Sequence, residues 1–92
     1  MKKILLLVTT EYNKKSAKKN AKLLLKKKLA SCVSLKDINS IYEWKGKIEE
    51  ANEVEIIIKS KPELKNALVV FLRKRISYDP VSYTHLTLPT KA

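Results

Sequence analysis

The sequence contains a single cysteine, Cys32, a single histidine, His85, and a single glycine among its 92 residues. One cysteine excludes an internal disulfide framework and favours a reducing compartment, so we predict a cytoplasmic protein. One cysteine and one histidine also cannot form a metal-ligand spacing motif within the chain. The sequence has no Ser-His-Asp set, no glycine-rich phosphate loop and no His-Glu-x-x-His motif. We therefore predict that the protein is not an enzyme.

Long hydrophobic runs are absent as well. No apolar run is long enough to span a bilayer: residues 67–72 form a run of six, and the run nearest the start, residues 4–8, has five apolar residues. Lys2 and Lys3 precede this run as they would in a secretory signal, but no small-residue cleavage site follows it. We interpret the run as a first strand and expect no membrane partner.

Arginine is scarce although the chain is strongly basic. Lysine and arginine total 20 against nine acids, which gives a formal net charge of +11, yet only Arg73 and Arg75 are arginines. Arginine is the residue suited to bidentate contacts with phosphates and bases. Two interpretations stay open: a nucleic-acid-binding module that uses the lysine-rich helix from Lys14 to Lys28, and a solvated lysine face. Because Tyr12 is the only aromatic residue near these lysines, we favour the solvated face and do not expect a nucleic-acid partner.

The chain begins with the pattern of a strand followed by a helix. Residues 4–8 form a short continuous apolar run, which is typical of a central strand covered on both faces. Residues 16–28 are predicted to be helical, and Asn13 or Ser16 is a candidate for the N-cap. The apolar positions are spaced to form one stripe: Ala17, Ala21, Leu24, Leu25 and Leu29.

The only glycine, Gly46, lies between two β-rich segments. A glycine in this position predicts a tight hairpin, because glycine adopts a positive φ without strain. In the second segment Val54, Ile56 and Ile58 alternate with polar residues, as in a strand with one face on a core. The first segment, residues 32–44, is long, and we expect Lys36-Asp37 to break or bend it.

A second helix is predicted after the hairpin. Ser60 and Glu63 fit a capping box, and the helix should end near Arg75. Its predicted apolar face consists of Leu64, Ala67, Leu68, Phe71 and Leu72. Residues 83–88 alternate weakly and are the candidate for a final strand, which Pro89 would limit. This order predicts a single α+β domain: a β-α-β-β-α-β sandwich with two helices on one face of an antiparallel sheet and a long bent central hairpin.

Three segments carry a resemblance to a known family. Residues 28–33, Lys-Leu-Ala-Ser-Cys-Val, resemble the Leu-Ala-Ala-Cys-Val box of the CutA divalent-cation tolerance family. Residues 40–50 resemble its Ser-x-Tyr-x-Trp-x-Gly-Lys-x-Glu box, and residues 53–60 its Glu-Val-x-hydrophobic-Ile-Lys-Thr strand. The resemblance implies a compact homotrimer of ferredoxin-like subunits, similar to the PII signalling proteins. It further implies a link to tolerance of copper and other divalent metals, with no enzymatic activity established.

The chain departs from the family pattern in two places. The positions that match the metal ligands proposed for some members are Thr9, Arg75 and Ser82, and none of these is a soft-metal ligand. Residues 81–92 do not match the family's last strand. We therefore divide the chain into one CutA-like domain, residues 1–80, and an atypical tail, residues 81–92, which is a candidate for a non-native end.

Cys32 is the remaining candidate for a metal ligand, with divalent copper as the expected ion. One thiolate cannot complete a copper or zinc site, so this role requires three symmetry-related copies to converge. The alternative is a buried free cysteine that acts as a small hydrophobic residue.

Tyr42 and Trp44 share one face of the predicted hairpin arm. Either the subunit's own helices cover them or a neighbouring subunit does, and we favour the neighbour because the arm is too long for two helices to cover. Glu53, Lys59 and Tyr78 match family positions near clefts between subunits. There a small anionic ligand is one interpretation, and a surface ion pair is the other.

Overall fold

The computed structural model describes residues 3–75 in full and the backbone of residues 83–89. Its elements follow the predicted β-α-β-β-α-β order, with a short 3-10 turn before the second helix. The sheet has the strand order β2-β3-β1-β4, and every neighbouring pair is antiparallel. This is the ferredoxin-like α+β fold. The elements are β1 (Lys3–Glu11), α1 (Lys14–Lys26), β2 (Cys32–Trp44), β3 (Lys47–Ser60), the 3-10 turn (Pro62–Leu64), α2 (Lys65–Arg75) and β4 (Tyr83–Pro89).

The core lies on one side of the sheet. Alternate residues of the two central strands are buried there, which confirms the alternation predicted for β3. Both helices contribute to the same core, so they pack against the same face of the sheet. The largest core side chains are Leu5 and Leu7 of β1, Ile56 and Ile58 of β3, Leu24 of α1, and Leu68 and Leu72 of α2.

On the other side of the sheet, residues 3–75 place no helix, and we call this side the open face. The prediction that β1 is covered on both faces is wrong within the chain: Leu5 and Leu7 are fully buried, but Ile4, Leu6 and Val8 are half-buried. Ile57 of β3 lies opposite Val8 and is also half-buried. A continuous apolar run here forms a strand with one face on the core and one apolar face that residues 3–75 leave only partly covered.

Helix α1 begins and ends two residues earlier than predicted. Asn13 is its N-cap, and its side-chain Oδ1 accepts a hydrogen bond from the Ser16 N–H at 2.8 Å. The helix ends because Lys28 has a φ of 59°, after which the Leu29 N–H donates to the Leu24 carbonyl at 2.9 Å. The predicted stripe misplaced Leu25, which is 45% exposed, and missed Asn20, which is buried.

The predicted capping box of the second helix is wrong. Ser60 remains in β3, and its Oγ donates to the Leu29 carbonyl at 2.6 Å instead of capping a helix. The 3-10 turn that follows begins after Lys61 without a side-chain cap. Ala67, assigned to the apolar face, is exposed, whereas Leu68, Phe71 and Leu72 are buried as predicted. The described part of helix α2 extends to Arg75.

The central hairpin has the predicted length but is more regular than predicted. β2 pairs with β3 without interruption from Cys32 opposite Lys59 to Trp44 opposite Lys47, so Lys36-Asp37 does not break the strand. Lys45 has a φ of 51° and Gly46 a φ of 77°, as in a type I′ two-residue turn, which confirms the tight hairpin.

The sheet is completed by β4, which lies on the opposite side of β1 from β3. The candidate final strand is therefore present, and its last residue, Pro89, is opposite Lys3. Neither helix in the described part of the chain has both the length and the apolar character that crossing a bilayer requires.

Candidate functional site

The hairpin extends beyond the helices as an arm, which we define as residues 38–53. Its large apolar side chains are exposed: Trp44 by 56%, Tyr42 by 46%, Ile41 by 66% and Ile48 by 78%. The chain's own helices therefore do not cover the aromatic residues, and that interpretation is excluded. The arm is still rigidly paired, since each residue of its first strand has a partner in the second.

The regular register assigns the apolar residues of the arm to two sides. Tyr42 and Trp44 lie on the side that continues the open face, and the Lys45 Nζ is 5.8 Å from the centroid of the Trp44 ring. Ile41 and Ile48 lie on the opposite side. The sequence analysis missed both isoleucines. Both isoleucines lie further along the hairpin than the residues that the helices cover, and this is why they are exposed.

Asp37 is the last residue of β2 before the arm begins. This carboxylate pairs with the Nζ of Lys14 at 2.8 Å, which joins the start of α1 to β2. Beside it an open cleft of about 750 Å³ lies between the β1–α1 loop and the arm. Within the cleft the Asn39 Nδ2 donates to the Asn52 Oδ1 at 3.1 Å. The cleft is lined by Tyr12, Asn13, Lys14, Asp37, Ile38, Asn39, Asn52, Glu53 and Val54.

Glu11 fixes the loop at the inner end of this cleft. It is the last residue of β1 rather than part of the loop, and its side chain is fully buried. Its Oε1 accepts a hydrogen bond from the Tyr12 N–H at 2.9 Å.

Cys32 lies at the start of the edge strand β2 and is exposed, so the buried-cysteine interpretation is wrong within the chain. Its neighbour across the strand pair is Lys59, also exposed on the side of the open face. Ser31 fixes this end of the strand, since its N–H and Oγ both donate to the Lys59 carbonyl, at 2.9 and 3.1 Å. The backbone therefore holds Cys32 and Lys59 side by side.

Glu53 and Lys59 belong to different parts of the molecule. Both are on the open-face side of β3, but six residues separate them, a distance of about 20 Å along a strand. They therefore do not form an ion pair with each other. Glu53 is half-buried and lines the cleft, whereas Lys59 accompanies Cys32. Tyr78 lies outside the described residues.

The positions that match the family's metal ligands do not fit a metal ion. Thr9 is buried on the helix side of β1, and Arg75 is exposed at the end of α2, with its guanidinium 5.7 Å from the Phe71 ring centroid. Ser82 lies outside the described residues. A hydroxyl and a permanently charged guanidinium are poor ligands for a soft metal. Among residues 3–75, no three His, Cys, Asp or Glu side chains are grouped closely enough to hold a metal ion.

The comparisons with known proteins agree with one another. The family model of the CutA1 divalent ion tolerance protein matches residues 5–90 and so includes most of residues 81–92. Over 68 residues the chain is 48% identical to Protein CutA of Mus musculus, covering 73% of this chain and 38% of that protein. The chain thus spans less than half the length of this mammalian relative.

Two microbial proteins are similar over a larger share of their length. The divalent-cation tolerance protein CutA of Pyrococcus horikoshii is 36% identical over 76 residues, covering 83% of this chain and 74% of that protein. The structure of CutA from Synechococcus elongatus superposes with a TM-score of 0.90 at 29% identity, covering 97% of this chain and 79% of that one. Motifs, fold and comparisons agree, and the chain belongs to the CutA1 divalent ion tolerance protein family.

Proposed function

We propose that the protein is a cytoplasmic homotrimer that contributes to the tolerance of divalent metal ions such as copper by binding rather than by catalysis. The proposed trimer is supported by two features together: an arm with exposed aromatic side chains and a sheet face with apolar side chains that the helices do not cover. Large apolar surfaces of this kind mark protein interfaces in soluble proteins. A closed ring of identical copies would bury both surfaces and protect the edge strands β2 and β4.

Static light scattering of the purified protein tests the assembly. We expect a mass about three times the 10.6 kDa of the chain. Trp44 is the single tryptophan, so its fluorescence reports directly on the arm. Its emission should shift to longer wavelength on dilution as the trimer separates. A chain that remains monomeric at all concentrations would contradict the proposal.

We propose that any metal site lies between subunits and includes Cys32, because the described residues of one chain do not form a site by themselves. The Cys32 sulfur would supply the soft ligand that copper prefers. An exposed free thiol also suits the reducing environment of the cytoplasm.

Copper titrations of the assembled protein test this role. Cys32→Ser should weaken copper binding by at least about tenfold, because it removes a direct ligand. Ser34→Ala, two residues along the same side of β2, is the matched control and should bind as the wild type does. Equal, weak binding by wild type and Cys32→Ser would remove Cys32 as a ligand.

A small anionic ligand near Lys59 remains a second part of the proposal. Lys59 is exposed on the open-face side, so its ammonium is accessible to a ligand held between two copies. The relatives reported above are named for cation tolerance, and they give no support to a nucleic-acid-binding module as the principal function.

A further inference from the structure

Most of the positive charge of the protein lies in the two helices and the loops that flank them. We call residues 12–31 and 61–75, which form both helices and their flanking loops, the helix layer. It contains 13 lysines and arginines and one acid, Glu63. Residues 32–60 contain four lysines and six acids. Because both helices pack on the same face of the sheet, the excess positive charge of the helix layer is presented on that side.

Helix α1 carries the densest part of this surface. Six of its 13 residues are exposed lysines: Lys14, Lys15, Lys18, Lys19, Lys22 and Lys26. At about 1.5 Å of rise per residue the helix is about 20 Å long, so it carries one positive charge per about 3.3 Å. Each strand of a nucleic-acid duplex carries one negative charge per about 3.4 Å. The two linear charge densities are therefore closely matched.

The lysines of α1 are unfavourably placed for the helix itself. Lys14, Lys18, Lys22 and Lys26 follow one another at four-residue spacing, so like charges are neighbours along the helix. The first turn contains no acid, and Lys14 and Lys15 face the positive end of the helix dipole. Asp37 pairs with Lys14 at 2.8 Å but lies at one end of the row. A bound polyanion would relieve this repulsion along the whole helix.

We propose that the helix layer binds the phosphate backbone of duplex nucleic acid, independently of sequence, along α1. Lysines are sufficient for backbone contacts, whereas reading base edges favours arginines and amides. Exposed aromatic residues that could stack on single-stranded bases are absent from the outer side of α1. The apolar stripe of α1 packs in the core of the protein, so it is not available for insertion into a bilayer. This activity does not depend on the proposed metal-tolerance function, because the helix layer faces away from the open face.

Fluorescence anisotropy with a labelled duplex DNA of about 20 base pairs tests the proposal on the full chain. With about four phosphates contacted, affinity should fall about 100-fold between 50 and 200 mM salt. The double substitution Lys18→Glu and Lys22→Glu should weaken binding at least about tenfold and reduce the salt slope by about two. The matched control, Lys45→Glu with Lys47→Glu at the tip of the arm, removes the same amount of charge and should change affinity less than about twofold.

Three outcomes would overturn the proposal. The first is wild-type binding too weak to measure at 50 mM salt. The second is an equal loss in the two double variants, which would mean that affinity follows net charge and not α1. The third is efficient displacement of the duplex by phosphatidylserine-containing vesicles, with α1-dependent vesicle binding, which would identify an anionic membrane as the partner. Light scattering on each variant confirms that its assembly is unchanged.

Discussion

A glutamate in place of Val8 is expected to separate the protein into monomers that remain folded. Val8 lies in the middle of the open face, opposite Ile57, and is half-buried in the isolated chain. In the proposed trimer this position would be fully enclosed, where a carboxylate without a partner costs several kcal/mol. We expect the dissociation constant of the assembly to rise by at least about 100-fold, measured by light scattering over a dilution series.

The matched control for this prediction is Val70→Glu. Val70 is 53% exposed on α2, on the opposite side of the sheet from Val8, so the same chemical change there should leave the assembly intact. Circular dichroism should show that both variants keep the native secondary structure. If Val8→Glu retains the wild-type mass at every concentration, the open face is not the surface that joins the copies.

Replacement of Leu7 by alanine is expected to lower the free energy of unfolding by about 3 kcal/mol. Leu7 is fully buried on the central strand β1, opposite Ile58 and beneath the helix layer. The substitution removes buried apolar surface and leaves a cavity that the surrounding strands can fill only partly. A small domain has a total stability of about 5–15 kcal/mol, so this loss is a large fraction of it.

Urea unfolding at a fixed protein concentration measures this loss, since oligomerisation makes apparent stability depend on concentration. Leu25→Ala is the control: Leu25 is 45% exposed on α1, and its replacement should cost less than about 1 kcal/mol. Equal destabilisation by the two variants would mean that the buried side of β1 is not the centre of the core.

Local patterns in the sequence were sufficient for most of the fold. The alternation of Val54, Ile56 and Ile58 identified the strand and its buried face, and Gly46 identified the turn. These predictions succeeded because strand period and positive φ are properties of a few neighbouring residues. The capping box failed because Ser60 had a competing partner, the Leu29 carbonyl, which is distant in sequence. No local pattern reveals such a partner.

The candidate sites depended more strongly on the tertiary structure. The sequence identified Tyr42 and Trp44 as an aromatic pair but left open which surface covers them. Only the position of the helices showed that the arm extends past their reach. Cys32 illustrates the same limit: its strand was predicted correctly, but its exposure follows from the edge position of β2 in the sheet.

By itself, the sequence determined the family, the order of the elements and most of the residues that form the core. The tertiary structure decided which surfaces remain exposed after that core has formed. Because both helices pack on one side of the sheet, the described part of the chain has a basic side that the helices form and an apolar face, opposite it, that they do not cover. The physical reason is that secondary structure depends on neighbouring residues, whereas exposure depends on which distant elements pack together.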